Sequence, residues 1–372
     1  MNYIHNDSEH YFAAANTAMG FKSYFPYIFN IEDCDKLYIL KGGPGVGKST
    51  FMKKVGQFCE NKGLNVEYYR CSSDPDSLDG IVIKELKIAI ADGTSPHSIE
   101  ASLAGAYEEI IDLGKAWDTE DLFCKRGKLQ MLSKEKKHCY ENAYEILYTC
   151  RHIKGILSEM CKSHILHEKA EKSVQRLAKS VLSKKNVCKG EEKIRLINAL
   201  SCKGKIHLCS FEDKAKMCVF IKESKKAYGL GVYYITKLYE VAKKRGAEML
   251  VSFSPFDTSF VDGLYFVNEK ISVTLYSDEL VSLCDKSAKK CRIINSDVFM
   301  DLKAMSQTKK ERKFYEKLIL SLEEKALAQL EQAGKVHLYL ESVYSKSTNY
   351  SVVEKALEEF LENLTKRQKL LQ

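Results

Sequence analysis

Laid over itself with a shift of 183 residues, the chain repeats, and that repeat restricts its possible folds more than any other feature. Gly63 falls on Gly246, Lys54 on Lys237, Val55 on Leu238, Asp74 on Asp257, and the pair Asp79-Gly80 on Asp262-Gly263. The apolar pattern persists to Ile153 and Leu157, which fall on Val336 and Leu340. Two copies of one supersecondary unit are therefore expected.

Each copy reads in the same order. A short apolar run, LYIL at 37–40 or CVFI at 218–221, precedes a loop and an amphipathic stretch that ends at Gly63 or Gly246, where a helix C-cap is expected. A second strand follows, NVEYY or EMLVSF, then a turn-rich stretch with Asp-Gly, then LKIAIAD or KISVTLY. Strands alternating with a helix predict a mostly parallel sheet. Beyond each unit apolar residues recur at helical spacing, as in Ile153, Ile156, Leu157 and Met160, and no proline lies between Pro96 and Pro255 or after it. Two antiparallel helices per appendage are the simplest arrangement. The last helix is expected to open on a capping box at Ser351 and Glu354.

The first copy carries KGGPGVGKST at 41–50, which meets G-x-x-x-x-G-K-[ST] through Gly42, Gly47, Lys48 and Ser49, after a strand and opening a helix. Backbone N–H groups must face inward around a phosphate, and Gly42, Gly43, Gly45 and Gly47 allow conformations and approaches that a Cβ would block. With Pro44, Val46 and Thr50 they complete the phosphate-binding loop. Lys48 offers a cation to the β and γ oxygens, Ser49 a hydroxyl to Mg²⁺, and the helix N-terminus a partial positive charge. Asp92 ends its apolar run as a metal-holding Walker B aspartate would; the alternative is that it only opens the turn DGTSPH. Gly93 stands where many ATP-driven motors carry a water-activating glutamate, so fast hydrolysis by that route is not expected. Asp74, in CSSDPDSLDG, is the candidate to orient a nucleophile, by fold analogy alone, with Asp76 and Asp79 nearby; a polar turn around Pro75 explains it equally well. His97 is a further candidate for contact with the γ-phosphate.

At the matching place the second copy reads KESKKAYGLGVYY. Under the same shift Lys48 becomes Gly231, Ser49 becomes Val232, Thr50 becomes Tyr233 and Asp92 becomes Leu275. Valine and tyrosine cannot coordinate Mg²⁺, so the second copy is expected to be a retained scaffold, with Lys225 and Lys226 as weak attractors of anions.

The chain's net charge of +8 is uneven, since residues 121–210 hold 20 Lys and Arg against 9 Asp and Glu. An acidic partner or nucleic acid could meet this segment, although no aromatic residues interleave with the basic ones as base stacking would need. The thirteen cysteines form no C-x-x-C pair, which argues for reduced thiols. No basic cluster followed by an apolar run opens the chain and no 18 consecutive apolar residues occur, so neither a signal peptide nor a membrane contact is expected, and the cytoplasm is the expected location.

HYFAAANTAMGF at 10–21, LYILKGGPGVGKSTFMKKVG at 37–56, DPDSLDGIVI at 74–83 and AIADGTSPH at 89–97 together resemble a family of tandem P-loop ATPases or ATP-binding proteins of Firmicutes, sometimes described as nucleotide kinase-like. The resemblance, with the repeat, spans nearly the whole chain. It implies nucleotide binding in both halves, from which this sequence departs in the second. The expected fold class is α/β, with duplicated P-loop NTPase-like parallel-sheet lobes, each followed by a long helical appendage. The expected divisions are a P-loop lobe at 1–100, a helical appendage at 101–183, a polar basic linker at 184–205, a degenerate lobe at 206–290 and a C-terminal helical appendage at 291–372. The expected function is a Mg²⁺-dependent ATPase with one nucleotide site in the first half; the alternatives are a small-molecule or nucleotide kinase and an ATP-gated protein- or RNA-interaction module.

Overall fold

The computed structural model of the chain describes all residues except 97–98, 183–189, 224–228, 302 and 372. The first half runs β1 (Asn2–Ile4), β2 (Glu9–Phe12), β3 (Ala14–Thr17), β4 (Gly20–Ser23), α1 (Phe25–Ile28), β5 (Lys36–Lys41), α2 (Lys48–Glu60), β6 (Val66–Arg70), β7 (Leu78–Ile83), β8 (Ile88–Asp92), β9 (Glu108–Asp112), α3 (Thr119–Cys124), α4 (Arg126–Lys162) and α5 (His167–Val181). The second runs β10 (Glu192–Ile194), β11 (Asn198–Ser201), β12 (Gly204–Leu208), α6 (Ser210–Lys214), β13 (Met217–Lys222), α7 (Leu230–Lys244), β14 (Met249–Phe253), β15 (Val261–Phe266), β16 (Ile271–Leu275), α8 (Asp278–Lys286), β17 (Lys290–Asn295), α9 (Lys309–Ser345) and α10 (Tyr350–Leu371).

The chain is mixed α/β. Two six-stranded sheets share one order, β2-β6-β7-β8-β5-β9 and β10-β14-β15-β16-β13-β17, and neither closes into a barrel. Within each, β7 or β15 runs antiparallel to both its neighbours while the other pairings are parallel. The turns explain the exception. Only a few residues separate Arg70 from Leu78 and Ile83 from Ile88, enough for hairpin connections and too few for the crossover that a parallel neighbour requires. The strands of the sheet interior are buried on both faces, as at Leu37, Ile39 and Leu40 of β5 or Ile88 to Ala91 of β8, which accounts for their unbroken apolar runs.

Three expectations need correction. Residues 184–205 are not a linker: 190–205 supply β10, at the edge of the second sheet, and β11, which pairs with β12. β1, from the start of the chain, pairs in parallel with β12 as well. The helices are also exchanged. α4 lies antiparallel not on α5 but on α9, with Leu129 and Leu132 against Val336, Leu340 and Val343 at one end and Cys150 and Leu157 against Ile319 at the other. Buried α4 positions 129, 132, 139, 143, 147, 150, 154 and 157 follow steps of three, four and seven, the seam of a two-helix coiled coil. α5 then packs on α7 of the second half, and α10 on α2 of the first. Burial of Val353, Leu357, Phe360 and Leu364 of α10 in the first half's core, at roughly 1.5–3 kcal/mol per side chain, holds that arm in place. Finally, α10 opens at Tyr350 with Asn349 Oδ1 accepting from Ser351 N at 3.2 Å, so Asn349 caps it instead of Ser351.

Candidate functional site

β5 runs straight into Gly42, and α2 begins at Lys48, so the intervening loop has to reverse within a few residues. It does so through glycines in the left-handed region, Gly42 at φ 143°, Gly45 at φ 73° and Gly47 at φ 99°. An L side chain in that region costs roughly 1–2 kcal/mol. Val46, fully buried, anchors the loop to the core beside Leu113. A Cβ on Gly42 would lie 2.8 Å from Val46 Cγ1, so space as well as φ demands glycine there. α2 has no side-chain cap and no acidic residue in its first turn. Its N-terminal N–H groups and positive dipole end are thus left for an anion.

Lys48 is 9% exposed. Its Nζ donates to Gly42 O at 2.6 Å and Gly43 O at 2.9 Å and stands 3.5 Å from Asp92 Oδ2. Asp92 reaches this point because β8 is paired with β5 in a register that sets it against Leu40. Its other oxygen accepts from Thr94 N and Thr94 Oγ1, at 2.9 and 2.6 Å. Burial raises the Asp92 pKa, and Lys48 pulls it back. Ser49 Oγ accepts from Leu78 N at 3.0 Å, and Thr50 faces solvent. The structure therefore brings together the loop, Lys48, Ser49 and Asp92. A serine hydroxyl and a carboxylate are hard oxygen donors of the kind Mg²⁺ takes, so the residues fit that ion; among the described residues no group of three or more His, Cys, Asp or Glu forms a metal cluster.

Asp74 does not join them directly. Its carboxylate accepts from Ser77 Oγ at 2.9 Å and Asp76 N at 3.3 Å, the self-contained turn that was the alternative for this stretch. Asp76 is exposed and paired with Lys203, and Asp79 is buried in β7. His97, Lys225 and Lys226 lie outside the described residues. At Gly93 a Cβ would meet Ile39 Cγ2 at 2.2 Å, which leaves no room for a glutamate at that place.

The site also has members that sequence reasoning missed, most of them from the other half. Tyr350 Oη, at the start of α10, donates to Gly45 O at 2.8 Å. Gly43 backs onto Trp117 and Tyr344, whose rings stand 5.7 Å apart, and the buried Trp117 indole N–H has no acceptor among the described residues. A Cβ on Gly45 would lie 2.6 Å from Glu341 O, so α9 rests on the loop itself. Burial raises the Glu341 pKa and the nearby Asp74 adds to this, while a hydrogen bond from the Gly45 backbone, Lys48 and Lys136 oppose it. A carboxyl group thus lies close to the loop that a phosphate would use. His337, one turn earlier, sits 3.6 Å from Glu341 Oε1 and 3.5 Å from Lys136 Nζ; burial, with help from Lys136, lowers its pKa to about 4. Nothing in the 3.6-residue periodicity of α9 says which lobe it will touch.

In the second half the described residues at the corresponding place carry different chemistry. Gly229 has φ 81° and precedes α7 as Gly47 precedes α2, so the two loops register on these glycines and Lys48 matches Leu230; the shift of 183 that put it on Gly231 is one residue off here. Leu230 is buried in the core. Gly231 N donates to Glu223 Oε2 at 3.0 Å, so a carboxylate of the preceding loop fills the helix N-terminus. Leu275 ends β16 where Asp92 ends β8, as expected.

No protein-family model, curated protein or solved structure matches the chain. Its site is read from its own chemistry.

Proposed function

We propose that the chain binds one nucleoside triphosphate, ATP, together with Mg²⁺ at the loop of residues 42–50, and hydrolyses it slowly. The observation that carries this reading is the join of left-handed glycines to an uncapped helix with a buried lysine 3.5 Å from a strand-end carboxylate. The backbone N–H groups of the loop receive the phosphates. Lys48 exchanges its two loop carbonyls for phosphate oxygens, and its charge stabilises the transferring group most where negative charge develops. Ser49 and Asp92 would hold the Mg²⁺, which neutralises phosphate charge when bound. Glu341, whose backbone oxygen lies against Gly45, stands beside the path by which the nucleotide would enter. The crowding around Gly93 supports slow turnover, since a water-activating glutamate has no space there. Asp74, committed to its own turn, gives no support to a kinase.

A second reading is favoured by the contacts of Tyr350 and Glu341 with Gly45: ATP gates the exchanged helices, and turnover resets them. The basic segment 121–210 would then carry the acidic partner or nucleic acid. The duplicated ancestry, the resemblance to tandem P-loop ATPases and a cytoplasmic location belong to the same proposal; the structure itself has, among its described residues, no helix long and apolar enough to cross a membrane. The test is phosphate release from Mg·ATP by the purified chain, alone and with a metabolite panel. Release that needs no acceptor supports hydrolysis, whereas a phosphorylated metabolite replaces it with the kinase.

A further inference from the structure

β9 and β17 occupy the same place in the two sheets, and among the described residues each has a neighbouring strand on one side only. Among the described residues the outer side of β9 receives one backbone bond, from Gly105 N to Glu108 O at 2.7 Å. Both strands expose an isoleucine at the matching position, Ile110 at 53% and Ile293 at 48%. Beside β17 and under α5 lies a groove of about 840 Å³ whose lining includes Arg176, Arg292 and Ile293.

The two edges differ in sign. Arg292 on β17 corresponds to Glu109 on β9, and Arg176 and Lys179 on α5 correspond to Glu359 and Glu362 on α10, all of them exposed. Arg292 also donates to Ser180 Oγ at 3.2 Å, which leaves its charge in place, whereas Glu109 pairs with Lys36 at 3.2 Å, which offsets part of its charge and leaves Glu359 and Glu362 to carry most of the acidic side. Charged side chains on an edge strand ordinarily keep it from pairing with a copy of itself. Here that protection is selective. A basic edge repels another basic edge and an acidic edge another acidic one, while a basic edge meeting an acidic edge gains from opposite charges on neighbouring strands and helices.

We propose that β17 of one copy of this chain pairs with β9 of a second copy, so that the sheet continues from one molecule into the next. Ile293 and Ile110 lose water against the partner, and α5 of one copy lies beside α10 of the other with Arg176 and Lys179 facing Glu359 and Glu362. The surfaces are not the same patch, so the contact is head-to-tail and builds rings or open chains. It is independent of the nucleotide reading, because no residue of the phosphate loop takes part.

Sedimentation velocity on the full chain tests this with charge-reversed variants. At about 50 mM salt the wild-type chain is expected to form concentration-dependent dimers and larger species that are lost near 500 mM, where screening shortens the reach of the charges to a few Å. R176E/R292E, with two acidic edges, and E109K/E359K, with two basic edges, are each expected to lose self-association, and an equimolar mixture of them to regain it. Should either double variant fail to fold, as judged by its thermal melt, the milder Arg292→Gln and Glu109→Gln are each expected to weaken association about 10-fold, roughly one lost charge contact. A wild-type chain that stays monomeric at low salt, variants that associate as the wild type does, or a mixture that stays monomeric would each overturn the proposal.

Discussion

α2 and α7 each begin just after a glycine in the left-handed region, and they differ in what surrounds that start. Gly47 and Gly229, at φ 99° and 81°, both deliver the chain into a helix with no side chain of their own to cap it. The first passes to Lys48, buried beside Asp92; the second passes to Leu230, buried in hydrocarbon, and looks to Leu275. Each N-terminus has a carboxylate nearby, but from different sources. Glu223 comes from the loop just ahead of α7 and is a local fixture, whereas Glu341 comes from a helix of the opposite half. The comparison teaches that a left-handed glycine ahead of a helix serves the entry into that helix and by itself carries no anion-binding chemistry. The charges around it determine whether anything enters.

The largest expected effect breaks the first site. Lys48→Ala should weaken nucleotide binding at least about 100-fold, as expected for two lost charge-assisted hydrogen bonds at ~1.5–3 kcal/mol each. Calorimetry would measure it, with a thermal melt to show that the fold survives.

That lysine was legible from the sequence because a phosphate loop is local: the glycines, the lysine and the serine lie within a few residues and their roles follow from backbone sterics. Asp92 was legible for a similar reason, being the last residue of a strand whose apolar run is unbroken. The arms were not. Apolar spacing in α4 and α9 announces long helices, but an antiparallel seam can form with either neighbour, and the choice of α9 over α5 is made by packing far away in sequence. Glu341 and His337 were invisible on that account. Residues 190–205 were misread because their strands are short and polar at the edges, and Glu223 because an acidic residue in a basic loop carries no signal of its target.

A smaller effect concerns acid. His337 is held neutral by burial and Lys136, with a pKa of about 4 in place of 6.5. The unfolded chain therefore binds more protons between those values, and stability is full above pH 6.5 and lost as pH falls toward 4. The loss is about 2 kcal/mol, and His337→Gln should remove most of it in urea titrations at pH 7 and pH 5. The contrast between the halves predicts that α9 loosens over the first loop.

Smaller still is the effect of the neighbouring carboxylate. Glu341→Gln should tighten nucleotide binding about 10-fold, since the phosphates no longer meet a negative charge at Gly45. Because its pKa is raised, the wild-type chain should also bind more tightly as pH falls toward it and Glu341 becomes neutral. That trend should be absent from the variant, and fluorescence titration of a labelled nucleotide across pH would detect it. The smallest effect is a null. Glu223→Gln removes the negative charge at the second helix N-terminus yet supplies neither lysine nor metal-holding carboxylate, so nucleotide affinity and stoichiometry should not change.

The central claim is that one loop of the two takes a nucleotide, and titration calorimetry of Mg·ATP against the wild-type chain and Lys48→Ala tests it most directly. One nucleotide per wild-type chain and none per variant is the predicted result. Two nucleotides per chain, or an undiminished heat from the variant, would contradict it.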